Sequence, residues 1–322
     1  MADGHIAVDL EENSDEDYQS GAESQTTSLS STIFQYEYEN GRRYHAYKAG
    51  TYAIPNDETE QERLDVMHHI YNMLLGGRLH VAPLEKPQRI LDIGTGTGIW
   101  AIEMADQYPQ AEVIGTDLSP IQPSWVPPNV QFQIDDCELD WTYEKNSFDF
   151  IHIRGLQLSC KNWPRLLKQA YDHLKPGGWV EVVEWAEGRG VTDDGTDKGT
   201  AIYKYYDRLN EAGEKIGRPF RLPTPLKEMI PAAGFVNYRE EIPKLPFSPW
   251  PADKKLKLIG RWYISSMESG FEAYGLALFT RVLKMDQEEG RELCAAAWKD
   301  VQGRKVHMYA NTYFACGQKP LE

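Results

Sequence analysis

The chain has few cysteines, no long apolar run and no basic start, and each shortage excludes a class of protein. Its 322 residues include four cysteines, all far apart and without a C-x-x-C pair. This spacing argues against a zinc site or a disulfide framework and predicts reduced thiols in a cytosolic or nuclear protein. No apolar run approaches the ~18 residues of a membrane-spanning helix. The stretch MADGHIAVDLEENSDEDY lacks the basic and apolar parts of a secretory signal, so we expect a protein that is not secreted.

Positive charge is also scarce, and the formal net charge is −15. Residues 1–32 carry eight acidic side chains and no Lys or Arg, and they contain few large apolar groups. This composition predicts a disordered acidic tail. The remaining residues are acidic as well, at −7. Because nucleic-acid binding depends on neutralising phosphates with Lys and Arg, we expect no nucleic-acid substrate.

The rest of the chain divides into three segments. Residues 33–85 are aromatic and include PNDETEQERLDVMHHIYNMLL, where an Asn/Asp start, an acidic first turn and helical apolar spacing predict an amphipathic helix that stops at Gly76–Gly77. Residues 86–186 alternate strand and helix patterns. Residues 187–322 mix helices with one late strand, VHMYANTYFACGQKP, which we expect to begin at His307.

The most informative stretch is RILDIGTGTGIW, Arg89 to Trp100. A short apolar run leads into three alternating glycines, and IWAIEMA then resumes a helical period, which predicts a buried strand, a tight turn and a helix. Glycines allow the backbone to turn and approach a ligand, and the new helix offers free N–H groups at its start. Turns of this kind also serve as packing joints, so the loop alone does not prove a ligand site.

Further strands follow in the same rhythm. AEVIGTDLS is a buried strand ending at Asp117, VQFQIDDCE a third strand ending near Asp136, FDFIHIRG a fourth, and WVEVVEWA a fifth after a helix and a Pro-Gly-Gly turn. Parallel strands with crossover helices predict a doubly wound α/β sheet with its ligand at the carboxyl ends of the strands. Asp92, the glycine loop, Asp117 and Asp136 all fall at that edge, which favours the ligand-binding interpretation.

The ligand is indicated by the glycine spacing and the carboxylates. An acidic residue about 20 positions after the loop suits a ribose diol, both in NAD and in S-adenosylmethionine. The spacing here is G-T-G-T-G instead of the dinucleotide G-x-G-x-x-G, and Asp92 would repel a pyrophosphate. S-adenosylmethionine has no phosphate and carries two positive groups, so it is the predicted cofactor. We expect Asp117 to serve this ligand and to contribute little to fold stability.

The motif series ILDIGTGTGIW, VIGTDLSPIQPSWVPPNV, DDCELDW, FDFIHIRG and LKPGGWVE resembles that of the class I methyltransferases. GRRYHAYKAGTYAIPNDETEQERLDVMHHIYNMLLGGRLHVAP is similar, more narrowly, to the fungal LaeA-like family, which includes velvet-associated regulators of secondary metabolism. The resemblance implies a mostly parallel, seven-stranded Rossmann-like methyltransferase sheet. It also implies an N-terminal helical lid within residues 33–85 and a C-terminal helical cap within 187–322, after the core of residues 86–186.

The resemblance also implies residue roles toward S-adenosylmethionine. Asp117 would hold the ribose and Leu118 would pack on the adenine, with Asp136 and the backbone of Cys137 beside the ring. Arg154 would lie where the donor and acceptor pockets meet. The methionine part would rest on a group of strand-end and loop residues: Asp92, Gly94, Thr95, Gly96 and Gly98. An aromatic segment would fold over the donor with three tyrosines: Tyr44, Tyr47 and Tyr52.

Several of these residues have a second interpretation. The tyrosines could fill a core instead of forming a lid, and Asp135 could replace Asp136. His152 is a candidate general base, together with Arg154 as a candidate catalytic residue, but a histidine in a central strand also suits packing. The helix-rich stretch LIGRWYISSMESGFEAYGLALFTRVL could cap the pocket or belong to the core. We expect no metal site.

Two classes of function stay open at this point. The first is an enzyme that methylates a small metabolite or a protein side chain, with a link to fungal secondary metabolism or development. The second is a donor-binding regulator that acts mainly through a velvet-type protein partner. Both would be cytoplasmic or nuclear, and the sequence names no methyl acceptor.

Overall fold

The computed structural model describes residues 36–45 and 54–322. The first elements are β1 (Glu37–Glu39), β2 (Arg42–Tyr44) and α1 (Glu58–Leu74). The central elements are β3 (Arg89–Ile93), α2 (Ile99–Gln107), β4 (Glu112–Asp117), β5 (Val130–Ile134), β6 (Phe148–Arg154), α3 (Trp163–His173) and β7 (Leu174–Glu184). The C-terminal elements are α4 (Ala201–Lys215), α5 (Leu226–Ala232), β8 (Val236–Glu241), β9 (Lys244–Pro246), α6 (Lys254–Ser266), α7 (Gly270–Arg281), α8 (Gln287–Gln302), β10 (Tyr309–Asn311) and β11 (Tyr313–Gln318).

Seven strands form one sheet in the order β5-β4-β3-β6-β7-β11-β8. Neighbours from β5 to β7 are parallel, whereas β11 is antiparallel to both β7 and β8. The sequence prediction of a doubly wound, mostly parallel seven-stranded sheet is therefore confirmed. The strand order reverses between β3 and β6, and a crevice opens at such a reversal at the carboxyl ends of the strands.

The core lies on both faces of this sheet and in a separate helical layer. Trp100 of α2 and Trp163 of α3 are each 1% exposed and belong to two different apolar clusters. A third cluster joins residues of α1, α4, α6, α7 and α8 to Val183 of β7. This helical layer therefore rests against the sheet at the end of β7, next to the strand-order reversal.

Helix α1 follows the sequence prediction closely. Asp57 caps its start, where the side chain accepts a hydrogen bond from the N–H of Glu60 at 3.0 Å. Gly76 and Gly77 follow its end with φ values of +66° and +91°, a region that favours glycine. No helix in residues 36–45 and 54–322 is long and apolar enough to cross a membrane.

The late strand differs from its prediction. It is divided at Thr312 into β10, which pairs with β9 in a separate two-stranded sheet, and β11, which enters the main sheet. His307 precedes both strands, and its Nδ1 atom lies 2.6 Å from an Asp194 carboxylate oxygen at the surface. The pattern also gave no sign of β8, because this edge strand exposes most of its residues and carries no apolar alternation.

Candidate functional site

A cavity opens at the carboxyl ends of β3, β4, β5 and β6, and we call it the strand-end cavity. Its wall includes the glycine loop after β3, residues 116–119 and residues 135–138, and helix α1 closes the opposite side. A second cavity, the aromatic chamber, adjoins it. The volume of the strand-end cavity is ≈ 170 Å³ and that of the chamber is ≈ 50 Å³, so the strand-end cavity is the larger of the two.

The glycine loop is held by backbone hydrogen bonds. The N–H groups of Gly94 and Thr95 both donate to the carbonyl of Thr116 at 2.9 Å. Gly94, Gly96 and Gly98 have φ values of +70°, +58° and +82°, which lie in the left-handed region. Gly94, Thr95 and Gly96 line the strand-end cavity, whereas Gly98 does not. A Cβ at Gly98 would lie 2.3 Å from the ring of Phe132, so this glycine serves packing.

Asp92 lies beneath the loop and does not line the cavity. Its carboxylate accepts from the hydroxyl of Thr95 at 2.6 Å and from Nδ1–H of His152 at 2.8 Å. The ring of His152 stacks on Trp100 at 3.8 Å between centroids, and burial lowers its pKa, so this histidine is neutral. The structure thus places the candidate base His152 outside the cavity, where it orients Asp92.

Asp117 ends β4 and lines the strand-end cavity. Its two carboxylate oxygens accept from the backbone N–H groups of Gly96 and Ser119, both at 2.9 Å. Burial raises its pKa to about 6, because desolvation outweighs these two hydrogen bonds. Asp117 therefore also stabilises the loop, which differs from the expectation that it would serve a ligand alone.

Three other predicted residues line the same cavity: Leu118, Asp136 and Cys137. The carboxylate of Asp136 accepts from the N–H of Glu138 at 2.9 Å, which holds the turn after β5 in place. Asp135 lines the cavity as well, and its side chain accepts from the N–H of Asp136 at 2.8 Å. Both carboxylates lie at the site, so the geometry does not decide whether Asp136 or Asp135 would lie beside the adenine.

Arg154 ends β6 and also lines the strand-end cavity. Its Nη2 donates to Nδ1 of His68 at 3.3 Å, and its guanidinium lies over the ring of Tyr71 at 5.1 Å. Nε2–H of His68 in turn donates to Glu103 at 2.9 Å. Burial lowers the pKa of Arg154, and among the described residues no carboxylate forms an ion pair with it. Within residues 36–45 and 54–322, the site therefore holds a cation that interacts with carboxylates only at a distance, among them Asp92 and Glu103.

The wall opposite the strands comes from one face of helix α1, and the sequence did not predict it. Its buried polar members are Glu60, Arg63 and His68, and Arg63 pairs with Glu60 at 2.6 Å. Arg63 also donates to the hydroxyl of Tyr274 in α7 at 3.2 Å. A signal existed, since these polar residues interrupt the apolar stripe of the helix at positions where a core-facing stripe would be apolar.

The aromatic chamber lies between α1, α4, α7 and the end of β7. It shares five wall residues with the strand-end cavity, so the two spaces are continuous: Arg63, Met67, Tyr71, Gly155 and Tyr274. The remaining wall is mostly aromatic and includes Tyr205, Tyr206 and Phe220, with Glu184 and Trp185 at the strand end. The predicted helical cap divides between two roles, because Met267 and Tyr274 line the chamber while Tyr263 and Phe271 are core residues.

The described part of the N-terminal segment contributes three residues to the strand-end cavity, and Tyr44 is not among them. Ile54, Pro55 and Asn56 line the strand-end cavity, and Nδ2 of Asn56 donates to the hydroxyl of Ser119 at 3.3 Å. Tyr44 lines neither cavity, and its ring packs under the guanidinium of Arg281 at 4.7 Å. Tyr47, Tyr52 and the acidic tail lie outside the described residues.

The donor set of this site suits an organic cation with polar arms better than a metal, since no group of three or more His, Cys, Asp or Glu in the described part of the chain could hold a metal ion. Carboxylates, a glycine loop without phosphate spacing and one arginine without a carboxylate partner fit S-adenosylmethionine. That ligand has a sulfonium, an ammonium, a ribose diol and one carboxylate.

Comparison with known proteins agrees with this geometry. A family model described as a methyltransferase domain matches residues 66–240. The chain is 42% identical to the methyltransferase pytC of Aspergillus terreus over 301 residues, 92% of each chain. It is 38% identical to the secondary metabolism regulator LAE1 of Cochliobolus heterostrophus over 291 residues, which are 88% of this chain and 95% of that one. It is 36% identical to the protein-methionine methyltransferase laeA of Emericella nidulans over 291 residues, 89% and 77% of the respective chains. The chain therefore belongs to the class I S-adenosylmethionine-dependent methyltransferases, within the LaeA-like family.

Proposed function

We propose that this methyltransferase binds its cofactor in the strand-end cavity, with the ribose on Asp117 and the adenine beside Leu118, Asp136 and Cys137. The methionine part would lie over the loop from Gly94 to Gly98. When bound, the cofactor supplies a methyl group made electrophilic by its sulfonium. Acidic side chains on this wall support the proposal, because they attract the positive groups of the ligand.

The main support for the proposal is the positive charge of Arg154, which no described carboxylate pairs with. A half-buried guanidinium that forms no ion pair with a described carboxylate is costly to keep out of water unless a ligand supplies a negative group. The methionine carboxylate is the one anionic group of S-adenosylmethionine, and the cavity wall next to the glycine loop holds Arg154. We assign this carboxylate to Arg154, with His68 and Glu103 fixing the direction of the guanidinium.

Positioning accounts for the remaining chemistry in this proposal. A methyl transfer gains much of its rate when the nucleophile and the methyl group are held in line in a site without water. Arg63 and Tyr274 stand at the junction of the two cavities, where they would shape the passage between cofactor and acceptor. The acceptor would enter the aromatic chamber.

The biological setting of the proposal comes from the relatives. One relative is named a secondary metabolism regulator, a second a protein-methionine methyltransferase and a third a methyltransferase. We propose that this chain methylates a small metabolite or a protein side chain within fungal secondary metabolism. The second candidate is a regulator, and the names of two relatives support that part of it. Its velvet-type partner and its place in the cytoplasm or nucleus are implied by the sequence resemblance alone.

Transfer of an isotope-labelled methyl group tests both candidates. Purified protein and labelled S-adenosylmethionine are incubated with extract of cells lacking this protein, and the label is then measured in the protein and small-molecule fractions. We expect label in one fraction with the wild type and at least a tenfold loss with Asp117→Ala. Equal labelling by the wild type and by a sample without protein would contradict an enzymatic role and favour the regulator.

A further inference from the structure

The polar groups of the aromatic chamber differ in whether they already have partners. Arg63 is paired with Glu60, and the hydroxyl of Tyr205 donates to the carbonyl of Phe271 at 2.9 Å. Nε2 of Gln157 donates to a backbone carbonyl, that of Trp185. Two groups at the end of β7 differ from these. The carboxyl group of Glu184 has backbone N–H partners, and the indole N–H of Trp185 has no partner among the described residues.

Glu184 is a buried carboxyl group that forms no ion pair within the described part of the chain, and Arg63 of the same chamber is paired with Glu60 instead. It is 2% exposed, and one of its oxygens accepts from the N–H of Leu156 at 2.6 Å. The backbone N–H groups of Leu156, Gln157 and Gly155 favour its ionised form. Burial raises its pKa to about 8, so it gains and loses its proton in the physiological range. A carboxyl group is expensive to keep in such a place, and perturbed groups in clefts are candidates for functional residues.

Trp185 adds a second polar group next in sequence. It also lines the chamber, and its Nε1 atom is buried without a hydrogen-bond partner among residues 36–45 and 54–322. Indole N–H is a donor and cannot accept. The chamber wall therefore includes a carboxylate that can accept a proton, that of Glu184, and a hydrogen-bond donor without a partner among the described residues, the indole N–H of Trp185. Six aromatic rings line the same chamber: Tyr71, Trp185, Tyr205, Tyr206, Phe220 and Tyr274.

We propose that the acceptor is a hydroxyl group on an aromatic ring, and that Glu184 is a catalytic residue that takes the hydroxyl proton while the N–H of Trp185 donates to the same oxygen. This inference rests on the proposed function, because it needs the methyl donor in the adjoining cavity. The oxygen–methyl bond forms as the sulfur–methyl bond breaks, and the proton moves to Glu184. The products are an aryl methyl ether, S-adenosylhomocysteine and a protonated carboxyl group.

Other nucleophiles fit the two polar groups less well. A thioether has no proton to give, so it would leave Glu184 without a role. A protonated amine can donate but cannot accept from Trp185. A hydroxyl both donates and accepts, and an aromatic ring attached to it gains from stacking and edge-to-face contacts in the chamber.

The pH dependence follows from the groups that face Glu184. Helix α1 contributes Arg63 and Tyr71, α4 contributes Tyr205 and Tyr206, and α7 contributes Tyr274. Burial raises the pKa of each tyrosine, and the partner Glu60 raises that of Arg63, so none of them titrates near neutral pH. Glu184 is then the group whose ionisation changes, and transfer should rise with pH as it loses its proton.

Binding is measured first, with the protein saturated with S-adenosylhomocysteine and with phenol, 4-methylphenol and 2-naphthol as probes. We expect at least one probe to bind the wild type, and Glu184→Gln to weaken that binding by about tenfold. The matched control is Glu181→Gln, which alters another fully buried glutamate of β7 that lines neither cavity. Glu181→Gln should leave probe binding unchanged, and Trp185→Phe should weaken it by a smaller factor.

Transfer to the bound probe is measured next. We expect methyl ether formation to rise between about pH 6 and 9, and Glu184→Gln to lower kcat by at least about 100-fold with a flat profile. N-acetylmethionine methyl ester serves as the thioether probe and should gain no label.

Binding of none of the three phenols, equal rates for wild type and Glu184→Gln, or labelling of the thioether probe alone would overturn the proposal. The proposed function fails separately, if the wild type does not bind S-adenosylhomocysteine or if the extract gains no label above the sample without protein.

Discussion

The two cavities of this protein are built in different ways. The strand-end cavity is walled by loops at strand ends, where backbone groups and short acidic side chains hold each other in place. The aromatic chamber is walled by large side chains from helices α1, α4 and α7. A wall formed by backbone groups suits a ligand that is the same in every methyltransferase, such as the methyl donor. A wall formed by side chains changes shape with each substitution, so it suits an acceptor that differs from one enzyme to the next.

The largest difference should appear in fold stability, between the glycine loop beneath the strand-end cavity and the chamber wall, and Gly98 tests the loop by its packing against Phe132. Gly98→Ala forces a Cβ to within 2.3 Å of the Phe132 ring at a φ of +82°. Left-handed backbone costs about 1–2 kcal/mol and overpacking a further 1–3 kcal/mol, so we expect the free energy of unfolding to fall by about 2–5 kcal/mol. Met267→Leu in the chamber wall conserves volume and should cost less than ~1.5 kcal/mol.

Urea unfolding of both variants measures these values. A Gly98→Ala protein as stable as Met267→Leu would contradict the tight packing of the glycine loop.

The same contrast explains what the sequence could predict. Most strand-end residues follow short apolar runs and glycines, so the polar residues of this cavity could be identified within about 50 residues of sequence, from Asp92 to Cys137. Parallel topology then brings them to one edge without further information. Gly98 shows the limit of this reasoning, because its role in packing depends on Phe132 in another strand.

The chamber could not be predicted in this way. Its wall brings together Arg63 and Tyr274, which are 211 positions apart in the sequence. The sequence around Glu184 also does not indicate that its carboxyl group accepts a hydrogen bond from Leu156. The hairpin of β1 and β2 had a local signal, since Asn40–Gly41 is a favoured two-residue turn and both residues have positive φ. The separation of β10 from β11 had none.

The next largest effect should come from Arg154, which lines the strand-end cavity and not the aromatic chamber. Arg154→Met removes the proposed partner of the donor carboxylate, and charge-assisted hydrogen bonds contribute roughly 1.5–3 kcal/mol. S-adenosylhomocysteine should bind about 10- to 100-fold more weakly to the variant. 5′-Methylthioadenosine lacks the carboxylate, so its affinity should not change. An equal loss for both ligands would show that Arg154 acts through the shape of the site.

The smallest effect concerns pH and the strand-end wall alone. Burial raises the pKa of Asp117 to about 6 in the ligand-free protein. A ribose that donates to the ionised carboxylate favours the deprotonated form, so affinity is full above this pKa and decreases as the pH falls through it. We expect 5′-methylthioadenosine to bind more weakly at about pH 5 than at about pH 7, by less than tenfold per unit. Asp117→Asn should remove this dependence, and a persistent slope in that variant would assign the titration to another group.

We propose that Asp117 holds the methyl donor, and calorimetric titration with S-adenosylhomocysteine measures its contribution to binding. Asp149 offers a matched control, because at the opposite edge of the sheet it also accepts two backbone N–H groups, those of Gln88 and Arg89, at 2.9 Å. Both Asp117→Ala and Asp149→Ala should lose stability. Only Asp117→Ala should lose about 10- to 100-fold in donor affinity, since it removes a charge-assisted bond of roughly 1.5–3 kcal/mol. Unchanged affinity in a folded Asp117→Ala protein, or an equal loss in both variants, would contradict the account.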